Sequence, residues 1–495
     1  MQFEYLTLTE LREKLDNKEI SSVELTKYFL DRVKKSDLNA FITVTEEQAL
    51  AGAAKADEFI GSDGENPFLS GIPYAAKDLF SVKGTRTTAA SKILDNYIAP
   101  FDATSITKIK ENYGVLLGKT NLDQFAHGSS GETSAYGPTK NAWDATRMPG
   151  GSSSGSASAV AGGLAPWATA TETGGSIRQP ASLSGISGWK PTYGRVSRYG
   201  VIAMGSSLDS IGAMAYSVED LAGIAEVMSG RDEKDSTTGH IEVPKYSRLL
   251  NGDLAGLKVG VPNQYFIEGM EEGVKERVME AIRELEKMGA TLVNVDLPNT
   301  KYGSLVYAIV CPSEVSSNLA RYDGIRYGHT VHQSAKDLME VYAQSRAEGF
   351  GNEAKRRILT GTYVLSAGYY DAYYKKAQKV RRLIVNEFAE VFKQVDVLAC
   401  PSTPSVAAKL GAAAENPLHG YIADQLNIPG SLAGLPALSV PCGFARPSDG
   451  ETPSMDGLPV GLQIIGPQWG EQKIFNVGFA YQNATDWHKK HPVSE

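Results

Sequence analysis

Two serines in glycine-rich segments and a lysine at the end of an apolar run are the residues of this sequence best suited to act together on a substrate. Ser152 lies in the run 150–155, and Ser176 follows a threonine and two glycines at 173–175. A serine hydroxyl is a weak nucleophile until a base accepts its proton. Lys77 can be that base if burial lowers its pKa and leaves the amine uncharged. The backbone N–H groups of 173–175 would then stabilise an oxyanion, so this chemistry requires no histidine.

A Ser-His-Asp triad is the first alternative. Residues 151–155 match the G-x-S-x-G elbow, with Ser153 as the nucleophile. That elbow directly follows a strand, whereas 148–150 predicts a turn here. The histidines that follow all lie in polar stretches without an apolar approach. In a segment this rich in glycine and serine, the match carries little weight.

Two further motif matches fail on their context. Residues 187–190 match the S-x-x-K dyad of penicillin-recognising enzymes, but its companion motifs are absent and Pro191 would end the required helix. Residues 118–120 read Gly-Lys-Thr, but a phosphate-binding loop needs an earlier glycine where Tyr113 stands. The structural alternative is that Lys77 reaches water along a packed stem and that both serine segments are ordinary tight turns.

The hydrophobic pattern predicts the elements that must hold these residues. The apolar run 71–77 predicts a buried strand that ends at Lys77, and 157–170 predicts a buried element between the two serine loops. The pattern at 257–295 predicts a strand–helix–strand unit, hence a parallel pair with a right-handed crossover. Further strands are predicted at 41–44, 114–120, 396–399, 437–440 and 460–465. Strands near both ends of the chain favour one large α/β unit.

Composition and charge exclude several classes of function. The chain has 495 residues, of which 21% are charged, and a formal net charge of −8, so no nucleic-acid surface is predicted. No apolar run is long enough to predict a membrane helix, and no signal peptide is predicted. The three cysteines, Cys311, Cys400 and Cys442, lie far apart and predict neither a metal site nor a disulfide framework. This usage fits a reducing cytoplasm.

Three motifs together resemble the amidase signature family. They are Lys77-Asp78, the run GGSSSGSA at 150–157 and the run TGGSIRQP at 173–180. The resemblance implies that the lysine is the base, that the first serine of the GSS run relays the proton through a cis peptide, and that the serine of GGS is acylated. In this sequence those catalytic residues are Lys77, Ser152 and Ser176. The resemblance also implies an oxyanion hole formed by Thr173, Gly174 and Gly175.

The same resemblance implies a fold. The family has an α/β/α sandwich, in which helices cover both faces of a central mixed β-sheet. The resemblance spans nearly the whole chain, so a single domain over 1–495 is expected. Within it we expect N-terminal helices at about 5–36 and a helical insertion at about 300–390.

Later segments are similar to one branch of the family. These segments are 190–197, 316–319, 322–328 and 369–374. That branch hydrolyses glutamine and passes ammonia to a partner subunit that holds a misacylated tRNA. The resemblance therefore implies a heterotrimer with B and C subunits and contact with tRNA mainly through the B subunit. It further implies ATP and Mg²⁺ at the partner, no cofactor or metal in this chain, no membrane association and a cytoplasmic location.

Glutamine is a zwitterion, so its site needs one cation and one anion. A guanidinium suits an α-carboxylate and a carboxylate suits an α-ammonium. The resemblance implies that Arg357 binds the carboxylate, that Asp424 binds the ammonium and that Tyr307 lines the pocket. Arg356 is the alternative to its neighbour, and Asp424 could instead be an ordinary capping residue.

Two positions depart from the family pattern. Ser154 stands where glycine is usual, and Glu172 replaces an aspartate just before the second serine turn. Neither belongs to the three groups that would carry the proton, so activity is expected. A stand-alone amidase acting on another small amide, and a non-catalytic scaffold that kept the fold, remain alternatives.

Overall fold

One mixed sheet organises the computed structural model, which describes residues 2–60, 66–415, 418–451 and 456–492. Within that part of the chain the sheet has 11 strands in the order β1-β3-β2-β4-β6-β5-β10-β11-β9-β7-β8. The strands are β1 Phe41–Val44, β2 Pro73–Lys77, β3 Val115–Thr120, β4 Trp167–Glu172, β5 Ser187–Lys190, β6 Ser210–Ala215, β7 Lys258–Pro262, β8 Thr291–Val295, β9 Val397–Pro401, β10 Ala437–Ala445 and β11 Leu458–Ile465. The strands predicted from the sequence are all present.

Helices pack on both faces of this sheet. They are α1 Leu8–Asp16, α2 Ser22–Lys35, α3 Glu46–Ile60, α4 Thr104–Glu111, α5 Ser154–Ala161, α6 Arg178–Ser184, α7 Val218–Met228, α8 Glu272–Lys287, α9 Gly303–Asn318, α10 Leu338–Gly349, α11 Asn352–Leu365, α12 Tyr374–Val391, α13 Ala412–Glu415, α14 His419–Ala423, α15 Ile428–Leu432 and α16 Glu471–Ala484. Successive strand side chains point to opposite faces. Accordingly, Ile464 packs in one apolar cluster with Phe29, and Ile465 packs in the other with Phe388. The predicted α/β/α sandwich is confirmed.

Strand direction divides the sheet into three parts and an edge strand, β1, which pairs antiparallel with β3. Its centre is antiparallel from β4 through β9, and a parallel group flanks it on each side. On one side β7 and β8 are parallel and α8 connects them, as the pattern at 257–295 predicts. On the other side β2 pairs in parallel with both β3 and β4. Lys77 and Glu172, at the carboxyl ends of β2 and β4, therefore lie on the same edge of the sheet.

Two connected elements account for the buried segment between the serine loops. Helix α5 begins at Ser154, and β4 then returns through the sheet to Glu172. The first serine loop therefore leads directly into α5. The second lies between the end of β4 and the start of α6. Residues 187–190 form β5 rather than a helix, so the S-x-x-K interpretation lacks its structural context.

The two predicted N-terminal helices are α1 and α2. A capping box begins α2, where Ser21 accepts a hydrogen bond from the Glu24 amide and the Glu24 side chain bonds back. Helices α9 to α12 occupy 303–391, where a helical insertion was expected. Among the described residues no helix combines the length and apolar character needed to cross a bilayer.

Candidate active site

Lys77 is the last residue of β2, and its side chain is completely buried. Its Nζ lies 2.9 Å from Ser152 Oγ and 2.8 Å from Ser153 Oγ. The Oγ1 of Thr171, on the neighbouring strand β4, lies 2.9 Å from the same nitrogen. No carboxylate of the described residues forms an ion pair with Lys77. Burial therefore dominates and lowers the pKa of the Lys77 amine to about 7.

The first serine loop, residues 150–155, is held by side chains from two other segments of the chain. The peptide bond between Gly151 and Ser152 is cis. The Gly151 amide donates to Gln179 Oε1 at 2.9 Å, and the Gln179 amide group donates to the Ser129 carbonyl at 2.9 Å. A Cβ on Gly151 would overlap a carboxylate oxygen of Asp123, so only glycine fits. These contacts fix the direction in which the Ser152 hydroxyl points.

A buried ion pair between Glu172 and Arg178 stabilises the second serine loop, residues 173–176. One carboxylate oxygen of Glu172 accepts from the Ile177 and Arg178 amides at 2.9 and 3.2 Å, and the other accepts from Arg178 Nε at 3.0 Å. Arg178 also donates to the Gly174 carbonyl at 3.0 Å. Glu172, the departure from the family pattern, thus ties both ends of the turn together. Across the described residues, the backbone amides of 173–176 have no acceptor, so those of the predicted oxyanion hole at 173–175 are free to bind an oxyanion.

The structure brings Lys77 and Ser152 together but leaves Ser176 unbonded. Ser176 is only 4% exposed, and no described residue hydrogen-bonds to its hydroxyl. In unliganded enzymes catalytic hydrogen bonds are often long and tighten only when substrate binds. Next to it, the Thr173 hydroxyl bonds to the Tyr307 hydroxyl at 2.6 Å.

A cavity of about 500 Å³ lies beside α9, α11 and α14, and two of its lining residues, Tyr307 and Asp424, contact the second serine loop. Its walls include Tyr307, Arg356, Arg357 and Asp424. A Cβ on Gly175 would overlap Asp424 Oδ1. The turn that carries Ser176 is therefore in contact with the cavity wall. The three predicted substrate-binding residues converge on one space, next to the predicted oxyanion hole.

Burial distinguishes the two neighbouring arginines. The Arg356 side chain is 43% exposed, and Glu353 engages it in hydrogen bonds of 2.7 and 2.6 Å. The Arg357 side chain is 9% exposed, donates once to Glu353 at 2.7 Å and approaches Cys311 Sγ at 3.9 Å. Arg357 is therefore the buried arginine of the pair, and Arg356 is the exposed one.

Asp424 supplies the opposite charge. It ends helix α14 through its backbone, as the C-cap residue. Its side-chain Oδ1 is buried and has no hydrogen-bond partner among the described residues. Burial raises the pKa of the Asp424 carboxyl well above its usual range. An ammonium group that enters the cavity would stabilise the charged form of this carboxyl. The helix cap is formed by the backbone of Asp424, so capping does not explain the position of its side chain.

Among the side chains that the structure describes, no histidine hydrogen-bonds to Ser152, Ser153 or Ser176. His127, in the loop after β3, is buried with neither ring nitrogen partnered by a described residue. Burial lowers the pKa of this imidazole well below its usual range. The described residues also contain no group of three or more His, Cys, Asp and Glu side chains that could hold a metal ion.

Sequence reasoning missed two polar contacts of Lys77, those with Ser153 and Thr171. Ser153 was considered only as a nucleophile, although its position next to Ser152 could have indicated that both hydroxyls face the same amine. Thr171 gave no signal, because it is 94 residues from Lys77 and reaches it only through strand pairing. Both hydroxyls contribute to holding the lysine amine in one orientation.

Comparison with known proteins places this geometry in a family. The amidase family model matches residues 24–475. The chain is 51% identical over 486 residues to the A subunit of glutamyl-tRNA(Gln) amidotransferase from Ruthia magnifica subsp. Calyptogena magnifica, with 98% of each chain covered. It is 52% identical over 488 residues to the protein of the same name from Methylobacillus flagellatus, again with 98% of each covered.

Solved structures give the same result. The crystal structure of the glutamyl-tRNA(Gln) amidotransferase A subunit from Thermotoga maritima is 41% identical, with a TM-score of 0.80, covering 100% of this chain and 97% of that one. The peptide amidase of Stenotrophomonas maltophilia is 30% identical, with a TM-score of 0.82, covering 97% and 96%. Because the family model spans most of the sequence and its relatives align over nearly their full length, this chain belongs to the amidase signature family.

Proposed function

We propose that this chain is the glutamine-hydrolysing subunit of a tRNA-dependent amidotransferase. Relatives at about half identity over nearly their full length are named as the A subunit of glutamyl-tRNA(Gln) amidotransferase. The observation that carries the proposal is the cavity next to the Ser176 turn, where a buried guanidinium and a buried carboxylate face the same space. A zwitterionic amide offers a partner to each of these groups, whereas a hydrophobic amide would leave the Asp424 carboxyl without a partner among the described residues.

In the proposed reaction Ser176 attacks the side-chain amide of glutamine. As its Oγ bonds to the carbonyl carbon, its proton passes to Ser152, whose own proton passes to the uncharged amine of Lys77. The amides at 173–175 hold the oxyanion, with Thr173, Gly174 and Gly175 as the oxyanion hole. Lys77 then returns the proton through Ser152 to the amide nitrogen, the C–N bond breaks and ammonia leaves. Water cleaves the glutamyl ester by the same proton path in reverse, releasing glutamate.

Three residues orient the substrate in this proposal. Arg357 binds the α-carboxylate, because it is the buried arginine of the pair. Asp424 binds the α-ammonium, which neutralises a carboxyl that is otherwise without a partner among the described residues. Tyr307 closes the pocket from α9 and is positioned through its bond to Thr173.

We propose that a partner subunit uses the ammonia. In this proposal the chain assembles with B and C subunits into a heterotrimer in the cytoplasm, and the B subunit holds the tRNA and binds ATP and Mg²⁺. The product is Gln-tRNA(Gln) from Glu-tRNA(Gln). In a variant of the same proposal, the complex converts Asp-tRNA(Asn) to Asn-tRNA(Asn). The net charge of −8 suits a subunit that leaves tRNA to its partner.

A stand-alone amidase is the second candidate. It is favoured by the likeness of the fold to a peptide amidase at 30% identity. A substrate panel separates the two: ammonia release from glutamine, asparagine and a hydrophobic amide, by the purified chain alone and with B and C subunits. We expect glutamine to be preferred and tRNA amidation to require all three subunits. Rapid hydrolysis of the hydrophobic amide without use of glutamine would overturn the proposal. Tests with Ser176→Ala exclude the scaffold alternative if tRNA amidation from glutamine is lost and amidation from added ammonia is kept.

A further inference from the structure

An apolar groove runs between α9 and α12, on the opposite side of α9 from the candidate active site. Its volume is about 440 Å³. Its walls are mostly apolar and include Tyr302, Leu305, Val306, Ile309, Val380 and Leu383. Leu305 is 65% exposed and Leu383 is 52% exposed. Large exposed apolar side chains that converge on one groove are typical of a docking site. We call this surface the α9–α12 groove.

Three lysines lie in or near the wall of this groove. Lys376 forms part of the wall, and Lys379 lies one helical turn further along α12. Lys301, before α9, stacks over the Tyr302 ring. Across the described residues, none of these three lysines forms an ion pair. The carboxylate of Glu387, further along α12, is already engaged by Asn299 through bonds of 3.0 and 3.1 Å. The three lysines outnumber this one carboxylate, so the groove is apolar in its centre and has a net positive charge at its rim.

Helix α9 connects the groove to the candidate active site. Val306 and Ile309 form the groove wall, whereas Tyr307 faces the cavity and bonds to Thr173. The two surfaces are separated by one helix, whose diameter with side chains is about 10–12 Å. A partner seated in the groove would lie close to the point where ammonia is released. This suits a subunit that must receive a small diffusible product.

We propose that the α9–α12 groove receives an amphipathic helix of the ammonia-accepting partner subunit, with acidic side chains flanking its apolar face. The inference rests on the proposed function, which supplies the partner. A groove between two helices accommodates a third helix through apolar anchors spaced three or four residues apart. Lys301, Lys376 and Lys379 would favour acidic flanks and accelerate association.

The first test measures assembly of the full chain with the B and C subunits. The double variant Leu305→Asp/Leu383→Asp places two carboxylates in the apolar centre, so we expect roughly 30-fold or weaker binding of the partner. The control Leu338→Asp/Met339→Asp changes two equally exposed residues of α10, outside the groove, and is expected to bind normally. Glutamine hydrolysis by the isolated chain should be unchanged in both, since neither touches the candidate site. Normal assembly of the groove variant would overturn the inference.

The second test examines charge and identifies the occupant. Lys376→Glu/Lys379→Glu should slow association about tenfold at low salt, with a smaller effect at high salt. A photoreactive phenylalanine at position 305, in the otherwise native chain, should cross-link to an acidic helix of the partner subunit. Cross-links only to a second copy of this chain, or partition of the chain onto anionic lipid vesicles through the groove, would overturn the inference.

These results separate the inference from the proposed function. If the wild-type complex amidates Glu-tRNA(Gln) while the groove variants assemble normally, only the docking inference fails. If the wild-type chain neither hydrolyses glutamine nor supports amidation with B and C subunits, the proposed function fails. The docking inference, which rests on it, then fails as well.

Discussion

The amine nitrogen of Lys77 lies 2.9 Å from the hydroxyl oxygen of Ser152, and both side chains are fully buried. The lysine is surrounded by hydroxyls rather than by carboxylates, so no described group in contact with it stabilises a positive charge as an ion pair would. An uncharged amine has a lone pair and can accept a proton. The proposed chemistry depends on this arrangement.

The pH dependence of glutamine hydrolysis should report this amine. Because burial lowers the pKa of Lys77 to about 7, the amine is protonated and inactive below that pH and free above it. We therefore expect kcat/KM to fall about tenfold per pH unit on the acid side and to reach a plateau above about pH 8. The measurement is a profile between about pH 5 and 8.5, below the titration of the substrate ammonium. A rate that still rises about tenfold per pH unit at about pH 8.5, with no plateau, would show an ordinary exposed lysine.

The two adjacent arginines should differ in effect. Arg357→Ala removes the buried guanidinium, so we expect KM for glutamine to rise roughly 10- to 100-fold, the worth of hydrogen bonds to a charged group. Arg356→Ala, the matched control, should change KM by less than about threefold, because its side chain is half-exposed and already bonded to Glu353. Steady-state kinetics of both variants decide the assignment. If Arg356→Ala raises KM more than Arg357→Ala does, Arg356 is the residue that binds the α-carboxylate.

Asp424→Asn should separate recognition of the α-ammonium from catalysis. We expect kcat/KM for glutamine to fall at least about tenfold through loss of a charge-assisted contact. 4-Carbamoylbutanoate, which has the amide and the carboxylate but no ammonium, should be hydrolysed equally by both proteins. Equal losses for the two substrates would indicate that Asp424 acts on the turn through Gly175 instead. Since burial disfavours the carboxylate, the variant should also be no less stable than wild type.

Glu172→Gln should destabilise the protein as a whole. It leaves the Arg178 guanidinium buried without its charge partner, which costs about 3–5 kcal/mol of unfolding free energy. The control Glu272→Gln breaks an exposed pair with Lys275 and should cost less than about 1 kcal/mol. Urea unfolding curves of both variants provide the comparison. Similar small losses would mean that the ion pair does not hold the turn.

Much of the fold was predictable from local pattern. Lys77 at the end of a buried strand followed from the apolar run before it, and the β7–α8–β8 unit followed from its change of hydrophobic period. The segment between the serine loops was predictable as buried, but its division into α5 and β4 was not, because small residues suit both structures.

The contacts that refine the site depend on tertiary structure. The Thr171 contact with Lys77 requires the pairing of β2 with β4, and the contact of Asp424 with Gly175 joins segments that are distant in sequence. Adjacent arginines look alike in sequence, and only burial distinguishes Arg357 from Arg356. No hydrogen bond joins Ser152 to Ser176 in the part of the chain that the structure describes. The catalytic roles assigned to these residues therefore remain predictions.

The most direct test of the central claim is mass spectrometry of the chain after reaction with a diazoketone analogue of glutamine. The account predicts one adduct per chain, on the peptide that contains Ser176. The adduct should be lost in Ser176→Ala and strongly slowed in Lys77→Met, since the serine then has no base. Labelling of another residue, such as Cys311, or labelling of Ser176 at an unchanged rate without Lys77, would contradict it.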